Sequence, residues 1–585
     1  MRNFSIVTQI KKELDDFYKQ KVVLSKMGHD DTVRYAKGKD GGYYFNQHET
    51  IAKIDLTTAS QFEDGPTDTL GMRKMYMNVT TFRTEVAAKQ TDLDLKDFKF
   101  TPEDGTNPWP TFFVQRDFRM WAKDHKMSEL VNEFNEAFPK YGTIVGKKVG
   151  KAIEFMPLQL LRNEQTAKSL QTARYVIEEH PDMYKWELEA MKGWNLDGLQ
   201  LKSDECCQVF ERYGYVPLGW LKSQNGEDYE ATDFELWVDA QVICTYDPKA
   251  VKIEEAKQHI FSAKQITERP YREAHWKRQH GRWLGVGEAE DLFANQTAAN
   301  MVINLYRRSM HWSSKRVFQT KDDSLIGKNL VADVADGDVL GVGMTGEVSQ
   351  IDTTNHSQAE YNNFLTMLEK NADQKAFTYE VATGENLPSG TPFRLGIIMS
   401  NAVQSYFELK REKLGLFLRE IVQDFLVPQF LRDMGDKERL ASLFSDEEGF
   451  ELVKEGAMEY VKGETIRATL LGGEAVDIST IETAIQPFEA IKALTFEYPE
   501  SYLQEAEYKI TLDLTGESMD LKSRIESLTT LGQIWQQIGD PRAEKAFAEA
   551  SMLSGVNLAK FGPKPPPPMP QPEQVATNVK QPQPA

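Results

Sequence analysis

The sequence predicts an α+β protein in which helix predominates, and three observations carry that reading. Apolar residues recur at spacings of three and four over long stretches, most clearly across 387–430 and 288–312. Between 205 and 246 the pattern changes to segments rich in aromatic and β-branched residues, QVFERYGYVPLGWL and FELWVDAQVICTY, a composition that favours strands. Near the C-terminal end YKITLDL (508–514) alternates with period two.

The stretch 387–430 is the organising element. Pro388, Ser389 and Gly390 form a breaker cluster. Thr391 can cap a helix whose first position is Pro392, where a missing N–H costs nothing. Leu395, Ile398, Ala402, Tyr406 and Leu409 begin an apolar stripe that Leu414, Phe417, Ile421 and Phe425 continue. A helix of this length is a rod of roughly 55 Å. Its interior glycines, Gly396 and Gly415, are the expected places for a kink. The polar, Gly-bearing FTYEVATGENLPSG precedes it, so a mobile loop is expected at the end of a long helix.

The remaining elements follow in order. Residues 1–60 combine a charged helical start with a turn-rich loop, GKDGGYYFNQHET. Met77, Val79, Phe82, Val86 and Ala87 suit a helix, and Leu93, Leu95, Phe98 and Phe100 a short strand. Residues 111–140 read as one helix, and Gly142, Gly146 and Gly150 among β-branched neighbours suggest strands or a hairpin. Helices are expected over 169–179 and 184–193, a turn at Asn225-Gly226, and helical or mixed structure over 251–266. In the 288–312 helix Leu292, Ala299, Val302, Ile303 and Tyr306 share a side. Short strands with glycine turns are expected over 325–350, then a helix over 358–372. Beyond Pro428 the pattern predicts a helical segment (439–462), a strand pair (464–478) and a helix (480–495). Leu521, Ile525, Leu528, Leu531, Trp535 and Ile538 then mark a helix, and another is expected over 542–554. The Pro/Gln-rich end is expected to be disordered with polyproline character.

Composition narrows the function classes. The 585 residues are enough for two to four domains, and no run of eighteen apolar residues is present, so no membrane span is expected. MRNFSIVTQIKKELDDFYKQ lacks the features of a signal peptide, and three cysteines suggest buried thiols in a reducing cytoplasm. A net charge of −20 argues against tight nucleic-acid binding over the whole surface, since phosphate contacts require cations. It remains compatible with a protein that lets DNA pass without gripping it.

The candidate chemistry is sparse. Gly341, Gly343 and Gly346 spell a dinucleotide fingerprint, but EVSQIDTTNHS follows where a helix N-terminus is required, so a tight strand turn is the expected structure. Arg269, Arg272, Lys277, Arg278 and Arg282, interleaved with Tyr271, Trp276 and Trp283, form a basic and aromatic run. Such a run can hold a nucleic-acid backbone, or it can pair with a carboxylate-rich neighbour or subunit. No zinc spacing, Walker loop or nucleophile elbow occurs, so no catalytic, cofactor or metal residues are nominated and no enzyme is expected.

Three stretches together resemble the portal (head–tail connector) protein of tailed bacteriophages. MNVTTFRTEVAAKQTDLDLKDFKF, with the helix through FNEAFPK and YGTIVGKKVGKAIEFMPL, resembles the N-terminal wing. GRWLGVGEAEDLFANQTAANMVINLYRRSMHWSSKRVFQT resembles the glycine-rich approach to the ascending stem helix, through Gly285, Gly287, Glu290, Leu292, Gln296 and Asn300. The helix–loop–helix from YNNFLTMLEK to FLVPQF resembles the tunnel loop and the long kinked helix behind it, and YKITLDLTGESMDLKSRIESLTTL the approach to the helical crown. Most of 70–555 is covered.

The resemblance implies a wing, stem, clip and crown architecture. It assigns 1–195 to the N-terminal wing and 196–312 to stem and clip, with 195–280 bracketing the clip. The tunnel loop falls at about 373–391, the long helix at 391–427 within a wing return (313–437), the wing end and crown at 438–562, and the disordered tail at 563–585. It implies a ring, dodecameric in the family, at one vertex of a capsid assembled in the host cytoplasm. Its partners would be the major capsid protein, the terminase, head–tail adaptor and tail proteins, and double-stranded DNA in the channel. Lys375, Thr378, Thr383, Asn386 and Ser389 are then expected to face that DNA, and Arg269, Arg272, Lys277, Arg278 and Arg282 to lie in the stem–clip segment. Two alternatives stand beside it: another virion adaptor or scaffold, and a nucleic-acid-processing enzyme.

Overall fold

The computed structural model describes residues 4–19, 22–23, 44–69, 71–93, 98–102, 109–199, 201–202, 204–246, 258–314, 317–320, 348–351, 358–378, 393–434, 458, 461–463, 465–472, 478–489, 510–513, 527–536, 547 and 550. The chain divides into two units, Met1–Leu514 and Thr515–Ala585.

In the first unit α1 (Ile6–Lys19) turns Ile6, Val7, Ile10 and Phe17 inward. Strands β1 (Val22–Val23) and β2 (Tyr44–Phe45) pair antiparallel. Asn46 caps α2 (Gln47–Thr58) by accepting from the Glu49 N–H at 3.1 Å. After α3 (Thr81–Gln90) and β3 (Lys99–Pro102) come two helices, α4 (Trp109–Asp124) and α5 (Met127–Tyr141). The single helix expected over 111–140 is thus broken, at Lys126, whose φ of 49° no α-helix accommodates. On α3, Phe82 is exposed and the inward residues are Arg83, Thr84 and Ala87.

Strands β4 (Thr143–Val149) and β5 (Ala152–Phe155) form the expected hairpin, turned at Gly150. A five-stranded antiparallel sheet follows, built from β6 (Leu161–Asn163), β7 (Tyr175–Tyr184), β8 (Cys206–Pro217), β9 (Trp237–Tyr246) and β10 (Gln258–Gln265) in sequential order. Short helices α6 (Lys185–Ala190) and α7 (Leu218–Gln224) interrupt it, so the GWL expected at the end of a strand is helical. The helix expected over 169–179 is also corrected, since β7 starts at Tyr175. Leu170 and Ala173 pack in the main core, Ile177 packs with α1 and the five-stranded sheet, and Pro181 falls where the β7–β8 register shifts. Of the stretch 251–266, expected to be helical or mixed, Gln258–Gln265 is strand β10, and 251–257 lie outside the described residues. Strand β11 (Tyr271–His275) returns to β4 and completes a three-stranded sheet.

The short helix α8 (Glu288–Asp291) leads into α9 (Phe293–Ser313), with Leu292 between them. Strands β12 (Val317–Thr320) and β13 (Val348–Ile351) pair antiparallel, and α10 (Gln358–Ala376) follows. Strand β13 agrees with the strand expected there; Gly341, Gly343 and Gly346 lie outside the described residues. Helices α9 and α10 run antiparallel. Asn295 donates to Leu368 O at 3.1 Å and to Asn371 Oδ1 at 3.0 Å, while eleven positions further along α9 the Tyr306 ring meets that of Tyr361 at 5.7 Å.

The long helix α11 (Phe393–Ile421) passes Gly396 and Gly415 without interruption. The irregularity expected at a glycine falls instead at Val422–Leu426, a π turn that hands over to α12 (Val427–Met434). Pro428 explains the position: its ring would crowd the carbonyl four residues back, and it has no N–H to donate. The three-stranded sheet grips this turn, through β4 and β11. Lys148 donates to Phe425 O at 3.0 Å, Arg272 Nε donates to Asp424 Oδ2 at 2.8 Å, and the Arg272 guanidinium lies 4.7 Å above the Phe425 ring. Closer packing surrounds it: the Phe134 and Phe417 rings meet edge-on at 5.0 Å, and a Cβ on Gly146 would stand 2.6 Å from Ile421 Cδ1. The main core lies here, among α4, α5, β4 and α11.

Residues 465–471 are helical, which corrects the strand pair expected over 464–478. Then α13 (Ile478–Glu489) and β14 (Ile510–Asp513) follow, with β14 paired antiparallel to β3. In the second unit residues 527–536 form a helix, Gly532 lies against the Phe547 ring, and Leu531 and Ile534 are exposed. Leu521, Ile525, Ile538 and the Pro-rich end are outside the described residues.

Candidate functional site

The glycines, the acid and the amides of the 285–300 segment each have a structural task. Gly142, Gly285 and Gly287 pack backbone to backbone. A Cβ on Gly287 would stand 2.6 Å from Pro139 O, and one on Gly285 2.1 Å from Gly142 O. Glu290 accepts both branches of the Arg282 guanidinium at 2.8 Å. Along α9, Gln296, Asn300 and Asn304 hold the extended chain that leads to α3. Asn304 both accepts from Met75 N (2.9 Å) and donates to Met75 O (2.8 Å), and Asn300 accepts from Met77 N at 2.9 Å. Gln296 Oε1 accepts from the Val79 and Thr80 N–H groups at 3.0 and 3.1 Å. Arg83 then ties α3 to α10, donating to Asp373 Oδ1 from Nε and Nη2 at 2.9 and 2.6 Å. Spaced four apart, three amides on one helix face can mimic the edge of a strand.

The basic residues of the aromatic run are mostly engaged within the chain. Arg269 is buried, forks onto Asp239 (3.0 and 3.1 Å) and donates to Leu170 O and Ala173 O. Arg272 serves Asp424 and Glu268, and Arg282 serves Glu290 and Gly285 O. Arg278 donates to Lys168 O, and Lys277, exposed, pairs with Asp291 at 3.1 Å. Trp276 and Trp283 are buried and donate to Glu288 and Glu273.

Lys375 reaches Asn295 Oδ1 at 3.1 Å and Asp291 O at 3.3 Å. Thr378 is buried and donates to Asp373 Oδ1 at 3.2 Å. Thr383, Asn386 and Ser389 lie outside the described residues.

Two buried polar clusters carry the strongest electrostatics, and neither has a local sequence signature. In the first, Lys147 from β4 donates to Glu178 Oε2 of β7 at 2.5 Å and Glu211 Oε2 of β8 at 2.6 Å. Tyr271 donates to Glu178, and Tyr213 and Gln241 donate to Glu211. His180 Nε2 lies 3.2 Å from Glu178 Oε1. Burial pushes Lys147 down, but the two carboxylates outweigh it and leave it above its ordinary value. Burial also opposes charge on Glu211, yet hydrogen bonds from His180 and Lys147, with the lysine charge, hold its carboxyl well below the usual range. Glu178, His180 and Glu211 offer three ligand atoms within 4.8 Å of one another, but the Lys147 ammonium already supplies the cation that both carboxylates require. The arrangement is an ion-paired joint between the two sheets.

The second cluster sits where α10 ends and α11 passes the chain leaving β11. Buried Glu288 accepts from Trp276 Nε1 and Tyr406 OH, both at 2.8 Å, and burial raises its carboxyl. Its second oxygen, Oε2, has no hydrogen-bond partner among the described residues. The Tyr406 ring stacks on Phe377 at 4.2 Å. Lys410 donates to Trp276 O at 2.8 Å, and Lys413 to the same oxygen at 3.1 Å.

Among the described residues, the large apolar side chains left exposed on the α9–α10 pair are Met301, Leu305 and Met310 on the first helix, and Phe364 and Met367 on the second. Compared with family models and with curated proteins, the chain matches none of either.

Proposed function

We propose that the chain is the subunit of a portal ring, a DNA channel at one vertex of a tailed-phage capsid that also docks the terminase and the tail adaptor. The observation that carries this reading is the order of elements from α9 to α12. An antiparallel helix pair flanks the strands β12 and β13, and its second helix precedes a long helix that ends in a π turn clamped by the three-stranded sheet. In this reading that order corresponds to the stem helix, the tunnel loop and the long helix of the resemblance.

Two further features support it. The exposed Met301, Leu305 and Met310 on α9 and Phe364 and Met367 on α10 give neighbouring copies apolar area to bury in a head-to-tail ring. The net charge of −20 per copy suits a bore through which duplex slides without being held. Negative-stain images of the purified full-length chain test the reading: ring-shaped particles with a central hole are expected, and a field of small compact particles under every assembly condition contradicts it.

A further inference from the structure

The chain from Ser223 to Tyr246 carries no lysine or arginine, yet it holds Glu227, Asp228, Glu230, Asp233 and Glu235 within a few residues of one another. Asp233 pairs with Lys222 at 2.9 Å, whereas Glu227, Asp228, Glu230 and Glu235 are exposed and form no ion pair among the described residues. Large apolar side chains stand exposed among them: Tyr229, Leu236 and Trp237, the last two each 55% exposed. Strand register adds Tyr215, which is also exposed. Tyr215 is paired with Asp239 and Pro217 with Trp237, so Tyr215 and Trp237 are diagonal neighbours across β8 and β9. The fold fixes this stretch mainly through other groups. Phe234, at the end of the 3-10 turn Ala231–Phe234, lies against α7, where a Cβ on Gly219 would stand 2.7 Å from Phe234 Cδ2. Leu218 N donates to Leu236 O at 2.8 Å, and Glu230 N donates to Asp233 Oδ2 at 3.0 Å. Trp237 meets the Phe4 ring at 6.1 Å and still keeps more than half of its surface in water. A pinned backbone that presents Trp, Leu and Tyr among free carboxylates is preorganised to bury an apolar residue and to attract cations.

We propose that residues 227–237, with Tyr215, form a docking surface for a basic segment of a partner protein, one in which lysines or arginines flank an apolar residue. Charge complementarity selects that occupant. An acidic or phosphate-bearing partner would meet unpaired carboxylates and no cation of this stretch to receive it, whereas a basic one is steered toward them. The apolar residue of the segment settles against Leu236 and Trp237, where burial supplies the affinity, and its cations stand at the acidic margin, where they set encounter rate and salt dependence. The surface belongs to the five-stranded sheet and not to the α9–α12 elements that carry the ring reading, so either can fail without the other.

The test uses the full-length protein and a short dye-labelled peptide of lysines around one central leucine, with a glutamate-for-lysine peptide as control. Affinity is read by anisotropy over a range of salt. The lysine peptide is expected to bind and the glutamate peptide not to. Glu227→Gln, Asp228→Asn and Glu235→Gln combined are expected to weaken binding roughly tenfold at low salt and to flatten its salt dependence. Trp237→Ala and Leu236→Ser are each expected to weaken it roughly tenfold while the salt dependence stays. Trp186→Ala with Glu189→Gln, exposed residues of α6, is expected to change nothing. Absence of binding, or binding that none of the variants at 227–237 alters, overturns the docking surface. So does binding that the charge variant weakens while Trp237→Ala and Leu236→Ser leave it unchanged, which is attraction to an acidic chain and no more. Native mass of the same variants tests the remaining occupant: if they break up an assembly that the wild type forms, and no peptide binds, the surface is a contact between copies and the proposal fails.

Discussion

Lys147 Nζ lies 2.6 Å from Glu211 Oε2 in a space walled by two different sheets, with β4 contributing the ammonium and β8 the carboxylate. Removing the ammonium leaves Glu178 and Glu211 buried side by side, and breaking a buried pair of this kind costs about 3–5 kcal/mol. Lys147→Met is therefore expected to lower the urea midpoint sharply, and adding Glu178→Gln and Glu211→Gln to recover most of the loss. Because the Glu211 carboxyl is held below its ordinary 4.5 in the fold, its contribution is complete above that value and disappears only as the pH falls through the lower folded value. Acid unfolding of the wild type, followed by circular dichroism, checks this.

Lys410 behaves in the opposite sense. Its folded value of about 8 lies below the ordinary 10.5, so between these the unfolded chain carries the extra proton and stability rises with pH. Lys410→Met is expected to be neutral or stabilising at pH 7, since Lys413 still serves Trp276 O, and to flatten the alkaline rise. Denaturant midpoints from pH 7 to pH 11 measure both effects.

The amide ladder of α9 makes a local prediction. Gln296→Ala removes the acceptor for the Val79 and Thr80 N–H groups, and each buried donor left unpaired costs about 1–3 kcal/mol. Hydrogen exchange should accelerate at Val79 and Thr80 first, while the amides of β8 and β9 stay protected. Equal acceleration everywhere would mean that the ladder holds no separate segment.

Gly287→Ala is expected to destabilise strongly, because the added methyl would meet backbone on two sides, Pro139 O at 2.6 Å and Gly142 N at 2.7 Å, and backbone cannot swing away. Gly150→Ala makes a useful contrast, since nothing lies within 4 Å and only the positive φ opposes it. Thermal melts of the two variants rank these causes.

The parts legible in the sequence were those governed by local rules. The apolar stripe from Leu414 to Phe425 marked the inward side of α11, where Leu414, Phe417 and Ile421 are buried, and the glycine spacing marked the β4–β5 hairpin. Strand β7 is not legible locally, since only its pairing with β8 makes Tyr175–Tyr184 a strand. The irregularity falls at the π turn and not at Gly396 or Gly415 because glycine weakens a helix that tertiary contacts can still hold, whereas Pro428 imposes a steric conflict. Lys147, Glu178 and Glu211 come from three strands, and Lys410 meets Trp276 across more than a hundred residues of sequence, so no spacing rule reaches them. Among the basic residues, Arg269, Arg272 and Arg282 could be recognised as cations from sequence, but not as cations already paired inside the chain.

If Met301 and Met367 are covered by neighbouring copies, a charge at either should oppose assembly while leaving the subunit folded. Met301→Glu and Met367→Glu are expected to give monomers with unchanged circular dichroism.

The mass of the native particle bears most directly on the portal proposal. Native mass spectrometry of the purified full-length chain is expected to show one closed species at a large whole-number multiple of the subunit mass. A spectrum holding only monomer across salt, pH and concentration contradicts it.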